Sequence, residues 1–230
     1  MMEPPGQDRS SPIDLEQVVA DLNRAVSDDR FWATRGKAVQ AYARLEQALC
    51  RVFALVSDTS AQVAAIIFFK IQSAQARDDV LDKLIRLRFG RKFNLFWNSI
   101  FKAIKPITNT RNEIVHWGAL PRAKISADGL LPPEIVLRPP TFWSSFDDSA
   151  PQISNDGLLQ FIKQCDFYSK HINIFADLNG SHIRIYAISS GEEQPWLDIF
   201  RKPLVYPPLA DTPPEPTALI RGIRPQSSPP

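Results

Sequence analysis

Three polar residues near the middle of the chain have the types and spacing that phosphate chemistry uses. They are Arg111, Asn112 and His116, within the segment RNEIVH. A histidine titrates near neutral pH and can act as a general acid or base. An arginine offers a planar fork of donors to phosphate oxygens, and an asparagine amide can hold either neighbour by hydrogen bonds. Together, these side chains could transfer a phosphoryl group without a metal.

The spacing of the three residues assumes that they lie on one helix. Asn112 and His116 are four residues apart and therefore share a helical face. Arg111 and His116 are five residues apart, about 140° around an ideal helix, so the arginine must use its length to reach a common ligand. Arg111 also continues the apolar line of Ile100, Ile104 and Ile107. An arginine that points inward needs a partner, because an unpaired buried charge is very costly.

Each of these residues also has a purely structural interpretation. His116 could cap the C-terminus of its helix, where the helix dipole favours a cation. Arg111 could form an ion pair with Glu46 or Glu113 that serves stability alone. The four tryptophans that could stack on bases are better explained by packing in the core or an interface; they are Trp97, Trp117, Trp143 and Trp196.

The cysteine and histidine content argues against a metal centre. The chain has two cysteines, Cys50 and Cys165, and three histidines, and it has no CxxC motif. A disulfide scaffold and a four-cysteine zinc site are thereby excluded. Both cysteines lie on apolar helical stripes without a neighbouring histidine, so we assign them to the core rather than to nucleophilic chemistry. We predict no metal ligands and no cofactor.

Positive charge is concentrated just before the motif. Residues 83–112 contain eight basic residues and no acidic one, whereas the whole chain has 27 basic and 25 acidic residues, so the remainder has 19 against 25, a net −6. Such a segment on a nearly neutral protein indicates a polyanionic partner such as RNA. The alternative is that these side chains are spread around two helices and merely solvated. Besides Arg111, the candidate RNA-binding residues are Lys83, Arg86, Arg88, Arg91, Lys92, Lys102 and Lys105.

The elements that must position these residues have a helical period. Apolar residues recur at three-to-four spacing, which predicts an antiparallel helical bundle. Pro106 should kink or loosen the helix that carries the motif. The predicted helices cover about 11–26, 31–56, 60–71, 74–88, 92–117 and 155–178.

The remaining segments complete the predicted domain organisation. A small β-hairpin is expected at about 122–139, around Ala127-Asp128-Gly129, and residues 182–188 fit either a short strand or a helical turn. Residues 1–10 are expected to be disordered, and 11–190 to form the helical domain. Ten of the 20 prolines fall in 195–230, so we predict a Pro-rich, mostly extended tail over 191–230.

With these residues and elements in place, the chain resembles the HEPN family (higher eukaryotes and prokaryotes nucleotide-binding). The family hallmark is an Arg, then four to six residues, then a His, with Asn commonly after the Arg, near the end of the last long helix of a bundle. Arg111, Asn112 and His116 match these positions. The family also often has an acidic residue on an earlier long helix, and Glu46 is the matching candidate. The resemblance covers about residues 30–120, with 153–178 added by architecture alone.

The resemblance implies a metal-independent endoribonuclease of a toxin, phage-defence or RNA-processing system. It also implies a homodimer whose motif helices face each other across one composite cleft, RNA or a nucleotide as ligand, and an antitoxin protein as a further partner. Glu46 would orient Arg111 or His116, and two histidines would supply base and acid. One toxin branch has a tyrosine two residues after the histidine; Gly118 stands there in this chain, so that regulation is not carried over.

Two other functions are compatible with the same residues. One is a non-catalytic HEPN-like module that binds a nucleotide or RNA, and the other is a helical interaction protein in which the motif is accidental. The N-terminus has no basic region followed by an apolar run, and the longest apolar run, Val63–Phe69, has seven residues against the roughly 20 of a membrane helix. We therefore expect a cytoplasmic protein with reduced thiols.

Overall fold

The computed structural model describes residues 29–126, 129–140, 151–180, 185–188, 191–208 and 217–218, together with residues 16, 19, 20, 23 and 27. The predicted disorder of 1–10, the turn at 127–128 and the end of the tail lie outside the described residues. Of the predicted helix at 11–26, only Glu16, Val19, Ala20 and Asn23 are described, and these four are helical.

The described chain is mostly helical, as the sequence predicts. Serine side chains cap three helices: Ser60, Ser73 and Ser154 each accept a hydrogen bond from the backbone N–H three residues ahead. The helices are α1 (Asp29–Ser57), α2 (Ala61–Lys70), α3 (Ala74–Phe89), α4 (Asn94–His116), α5 (Asn155–Leu178) and α6 (Glu193–Ile199). Helix α4 continues through Pro106 on both sides.

Side-chain pairs fix the directions of the long helices. Arg35 and Tyr42 of α1 contact the end and the middle of α4 respectively, so these two helices are antiparallel. In contrast, Arg44 of α1 pairs with Asp166 of α5 and Arg51 pairs with Asp177, so α1 and α5 run parallel. The bundle is therefore not antiparallel throughout, because α5 is antiparallel to α4 rather than to α1.

The core lies between α1, α4 and α5, and α2 and α3 contribute Phe68, Leu81 and Ile85 to it. Aromatic rings dominate one end, where Phe96 and Trp97 of α4 pack on Phe175 of α5 with ring centroids 5.8 and 5.2 Å apart. Edge-to-face and offset contacts of this kind add to the burial of apolar surface. Cys50 and Cys165 are also buried, and burial raises the pKa of the Cys165 thiol to about 12 and also raises that of Cys50. The assignment of both cysteines to the core is confirmed.

A β-hairpin follows the motif helix directly. Strand β1 (Gly118–Ser126) pairs antiparallel with β2 (Gly129–Arg138), from Gly118↔Arg138 to Ser126↔Gly129, with an irregularity between Arg122 and Lys124. The hairpin is confirmed and begins four residues earlier than predicted, at the second residue after α4. Leu137 also bridges Ile153, which leads the chain into α5.

The segment after α5 differs from its prediction. Residues 186–187 form a short strand (β3, Tyr186–Ala187) that pairs with β4 (Thr217–Ala218). Of the two structures predicted for 182–188, a short strand or a helical turn, the strand is the one observed at these two residues. An extended tail was expected from 191, yet 193–199 form α6, because Pro195 falls in its first turn, where a proline is tolerated. Trp196 and Phe200 enter the core, so the packed domain continues beyond 190.

None of the described helices is long and apolar enough to cross a membrane alone. Helices α1 and α2 satisfy that criterion only as a pair, and they are bent by 116° at their junction.

Candidate active site

The motif occupies the last turn and a half of α4, at the end of the bundle where α1 begins. Asn112 and His116 are exposed, and Arg111 is half-buried. The Arg111 Nη1 donates a hydrogen bond to the Asn112 Oδ1 at 3.0 Å. The asparagine therefore orients the arginine, and the two exposed side chains remain accessible to a ligand.

Tyr42 of α1 provides the surface on which Arg111 rests. The guanidinium carbon lies 5.5 Å from the ring centroid, a cation–π arrangement. The tyrosine hydroxyl is hydrogen-bonded to the Thr108 hydroxyl at 3.1 Å, and burial raises its pKa, so it stays protonated at neutral pH. The Nε of Arg111 is buried and has no hydrogen-bond partner within the part of the chain that the structure describes.

Glu46 lies one turn further along α1 but is not hydrogen-bonded to the motif. Its carboxylate forms an ion pair with Arg77 of α3, with a distance of 2.5 Å from Oε1 to Nη2 and both side chains mostly buried. Both Glu46 and Arg111 act electrostatically on Tyr42, so they belong to one cluster around that ring. Of the two structural partners considered for Arg111, Glu46 is thus already engaged elsewhere.

Asp78 adds a second carboxylate to this cluster. Burial raises its pKa to about 6, and the neighbouring Asp79 and Glu46 add to the rise, while Arg77 opposes it. A carboxyl group with a raised pKa therefore lies beside the Glu46–Arg77 pair. Sequence reasoning missed Asp78, because it is one of several acidic residues on an amphipathic helix.

Arg35 of α1 closes the end of the motif helix. Its guanidinium donates to the backbone oxygens of Ile114, Val115 and Trp117 at 2.9, 3.2 and 3.1 Å. These carbonyls would otherwise lack partners, since the last turn of a helix leaves its C=O groups unpaired. Arg35 was missed because it lies 79 residues or more before its acceptors, and only its place at the start of the long helix could have suggested it.

The predicted RNA-binding residues are all exposed, but they do not form one uninterrupted basic surface. Arg86 binds both carboxylate oxygens of Asp82 at 2.9 and 2.8 Å and also Asn98. Lys105 and Arg86 line a cleft of about 430 Å³ that also contains Asp78 and Asp79. Carboxylates from the first half of α3 therefore lie among the cations that residues 83–112 contribute. The exposed set is Lys83, Arg86, Arg88, Arg91, Lys92, Lys102 and Lys105.

A metal site is not evident in the described residues, among which no group of three or more histidine, cysteine or acidic side chains could hold an ion. The motif itself offers an exposed imidazole, an oriented guanidinium and an amide.

The comparisons with known proteins do not identify this site. No protein-family model, no curated protein and no solved structure matches the chain.

Proposed function

We propose that this protein is a HEPN-like, metal-independent endoribonuclease. His116 accepts the proton of an RNA 2′-hydroxyl, whose oxygen attacks the adjacent phosphorus while the bond to the 5′-oxygen breaks. Arg111 stabilises the charge on the phosphate oxygens, and a second histidine protonates the leaving 5′-oxygen. The products are a 2′,3′-cyclic phosphate and a 5′-hydroxyl.

The observation that carries this proposal is the capping of α4 by Arg35. The carbonyls that His116 would serve as a helix cap already accept hydrogen bonds from the guanidinium. The histidine is exposed at the same helix end, beside an arginine that an asparagine orients. The histidine is thus not required as the helix cap and remains available for acid–base chemistry.

The proposal includes a homodimer, because one histidine cannot act as base and acid in the same step. The partner subunit would bring a second motif helix to the exposed end of α4. Val115, adjacent to His116, is 37% exposed and would be covered by this contact. An antitoxin protein, a role in toxin or phage-defence systems and a cytoplasmic location belong to the same proposal.

The decisive experiment measures RNA cleavage by alanine variants of the three motif residues and by one control variant on the same helix. His116→Ala, Arg111→Ala and Asn112→Ala should each reduce RNA cleavage by about 10²–10⁴-fold, the usual loss when an acid–base or charge-stabilising group is removed. Asn109→Ala is the matched control, because Asn109 is an exposed asparagine one turn before Asn112. Cleavage should persist in EDTA. Full activity of the His116→Ala variant, or loss of activity on chelation, would overturn the mechanism.

The same assay addresses a non-catalytic RNA- or nucleotide-binding module. This second candidate is favoured by Glu46, whose carboxylate is committed to Arg77 rather than to Arg111 or His116. A wild-type protein that binds RNA in a salt-dependent manner but cleaves none of many sequences would support it.

A further inference from the structure

A second cleft lies between α1 and α5, on the side of α1 away from the motif. Its volume is about 910 Å³, and the chain after α5 closes one side through Tyr186 and Tyr206. Binding sites for small molecules usually occupy about 300–1,000 Å³. We refer to this space as the α1–α5 cleft.

The α1–α5 cleft is rich in positive charge. Arg44 and Arg51 lie two turns apart on α1, and Lys163 and Lys170 come from the facing side of α5. Two carboxylates face these four cations: Asp166 pairs with Arg44 at 2.7 Å, and the buried Asp177 pairs with Arg51 at 2.7 Å. Among the described residues of the cleft, basic side chains outnumber acidic ones, which favours an anionic ligand.

The two ion pairs differ in whether a phosphate could displace the carboxylate from its arginine. The Arg44–Asp166 pair is about half exposed, and an exposed pair is weak enough to open for a phosphate. Asp177 is buried and also accepts hydrogen bonds from the backbone N–H groups of Ile185 and Tyr186 at 3.0 and 2.9 Å. This carboxylate therefore fixes the loop that carries Tyr186 at the edge of the cleft.

Aromatic rings line the same cleft. The Phe167 and Tyr206 ring centroids are 5.3 Å apart at an interplanar angle of 58°, and both residues line the cleft together with Tyr186. A planar heterocycle can stack on such rings, whereas its phosphates need the cations. A purely apolar ligand would contact the aromatic rings and leave the cations unused, and a simple phosphate would contact the cations and leave the rings unused.

We propose that the α1–α5 cleft binds a nucleoside phosphate, with its phosphates beside Arg44, Lys163 and Lys170 and its base against Phe167 and Tyr206. Arg44 and Glu46 are two residues apart on α1 and point about 160° away from each other. The site is thus separate from the motif cluster, and it goes beyond the proposed nuclease activity. Its occupancy does not depend on RNA cleavage.

The test measures binding of ADP to the full chain by calorimetry. The Lys163→Ala/Lys170→Ala double variant should weaken ADP binding by about tenfold or more, since two charge-assisted contacts are lost. Both lysines are at least partly exposed, so the fold should persist, which circular dichroism checks. The matched control is Lys37→Ala/Lys70→Ala, which removes two exposed lysines outside the cleft and should leave ADP binding unchanged.

A second variant tests the stacking of the base. Tyr206→Ala should weaken ADP binding about tenfold but leave inorganic pyrophosphate binding unchanged, as expected for the loss of one stacking ring. If pyrophosphate bound as tightly as ADP, the base would add nothing to the affinity. The cleft would then be a phosphate site, and the proposal of a nucleotide ligand would be wrong. Absence of ADP binding, or equal losses in the double variant and its control, would also overturn the proposal. The proposal would likewise be overturned if the wild-type protein bound an RNA oligonucleotide but not ADP, and the double variant lost that RNA binding.

Discussion

Replacement of Arg35 by alanine tests whether the end of the motif helix is held from α1. The change removes three donors from the carbonyls of Ile114, Val115 and Trp117. It leaves the motif side chains untouched, so any effect on them must pass through the backbone of α4. The expected result is a less stable protein whose motif turn frays and whose cleavage activity falls.

The magnitude follows from the exposure of each bond. The bonds to Ile114 and Trp117 are part-buried and contribute about 1 kcal/mol each, whereas the bond to Val115 is exposed and contributes little. A cation at the negative end of the helix dipole adds about 0.5 kcal/mol. The free energy of unfolding should therefore fall by about 2.5 kcal/mol, which corresponds to a drop in Tm of about 5–10 °C for a chain of this size.

Urea denaturation gives the stability, and hydrogen exchange gives the location of the change. Amides of residues 112–118 should exchange faster in Arg35→Ala, while those in the middle of α4 should be less affected. Arg35→Lys should recover only about half of the loss, because a lysine keeps the charge but not the fork of donors. Lys37→Ala, which removes an exposed cation from the same helix, should change stability by less than about 0.5 kcal/mol. If Arg35→Ala resembled Lys37→Ala in stability and exchange, the assignment of Arg35 as the cap would be wrong.

Three further predictions concern the cluster around Tyr42. Because the pKa of Asp78 is raised from 3.8 to about 6, the folded state binds more protons than the unfolded state between these values, and its ionised carboxylate costs stability above pH 6. Asp78→Asn should thus stabilise the protein by about 1 kcal/mol at pH 8, after allowance for its partial exposure, and the gain should vanish below about pH 4 in urea titrations. Tyr42→Phe should lower the free energy of unfolding by about 1 kcal/mol through loss of the bond to Thr108, yet retain RNA cleavage, since the ring still supports the motif arginine. Glu46→Ala should cost about 2 kcal/mol, and a double-mutant cycle with Arg77→Ala should recover at least about 1 kcal/mol as coupling, whereas additive losses would contradict the ion pair.

Periodic patterns were enough to predict most of the helical frame. The helices predicted at 60–71 and 74–88 begin within one residue of α2 and α3, where serines cap their N-termini. Gly90 marks the C-terminus of α3. Glycine at φ 61° ends α3 where other residues would be strained. The hairpin was also found from its turn residues, but its earlier start was not, since Gly118 and Pro121 are poor strand residues in isolation.

The contacts of the candidate site could not be predicted in the same way. Whether Glu46 faces Arg111 or Arg77 depends on how α3 packs beside α1, and both arrangements are compatible with the periodicity of each helix. The surroundings of the basic residues at 83–112 could not be predicted from the charge of that segment alone. Asp78, Asp79 and Asp82 precede that segment in the chain. Asp82 pairs with Arg86 one turn later in α3, and the antiparallel packing of α3 on α4 brings Asp78 and Asp79 near Lys105.

Helix α1 contributes residues to both proposed sites, from opposite flanks of its buried stripe. Its buried stripe includes Ala38, Leu45 and Val52, at successive seven-residue steps, and this stripe faces the core. Arg35 and Glu46 lie on one flank of the stripe and reach α4 and α3, whereas Arg44 lies on the other flank and reaches α5. Because the stripe between them is packed on both neighbours, a ligand in the α1–α5 cleft can affect the motif only by shifting α1 as a unit. Binding of ADP that left hydrogen exchange at residues 112–118 unchanged would show that the two sites act independently.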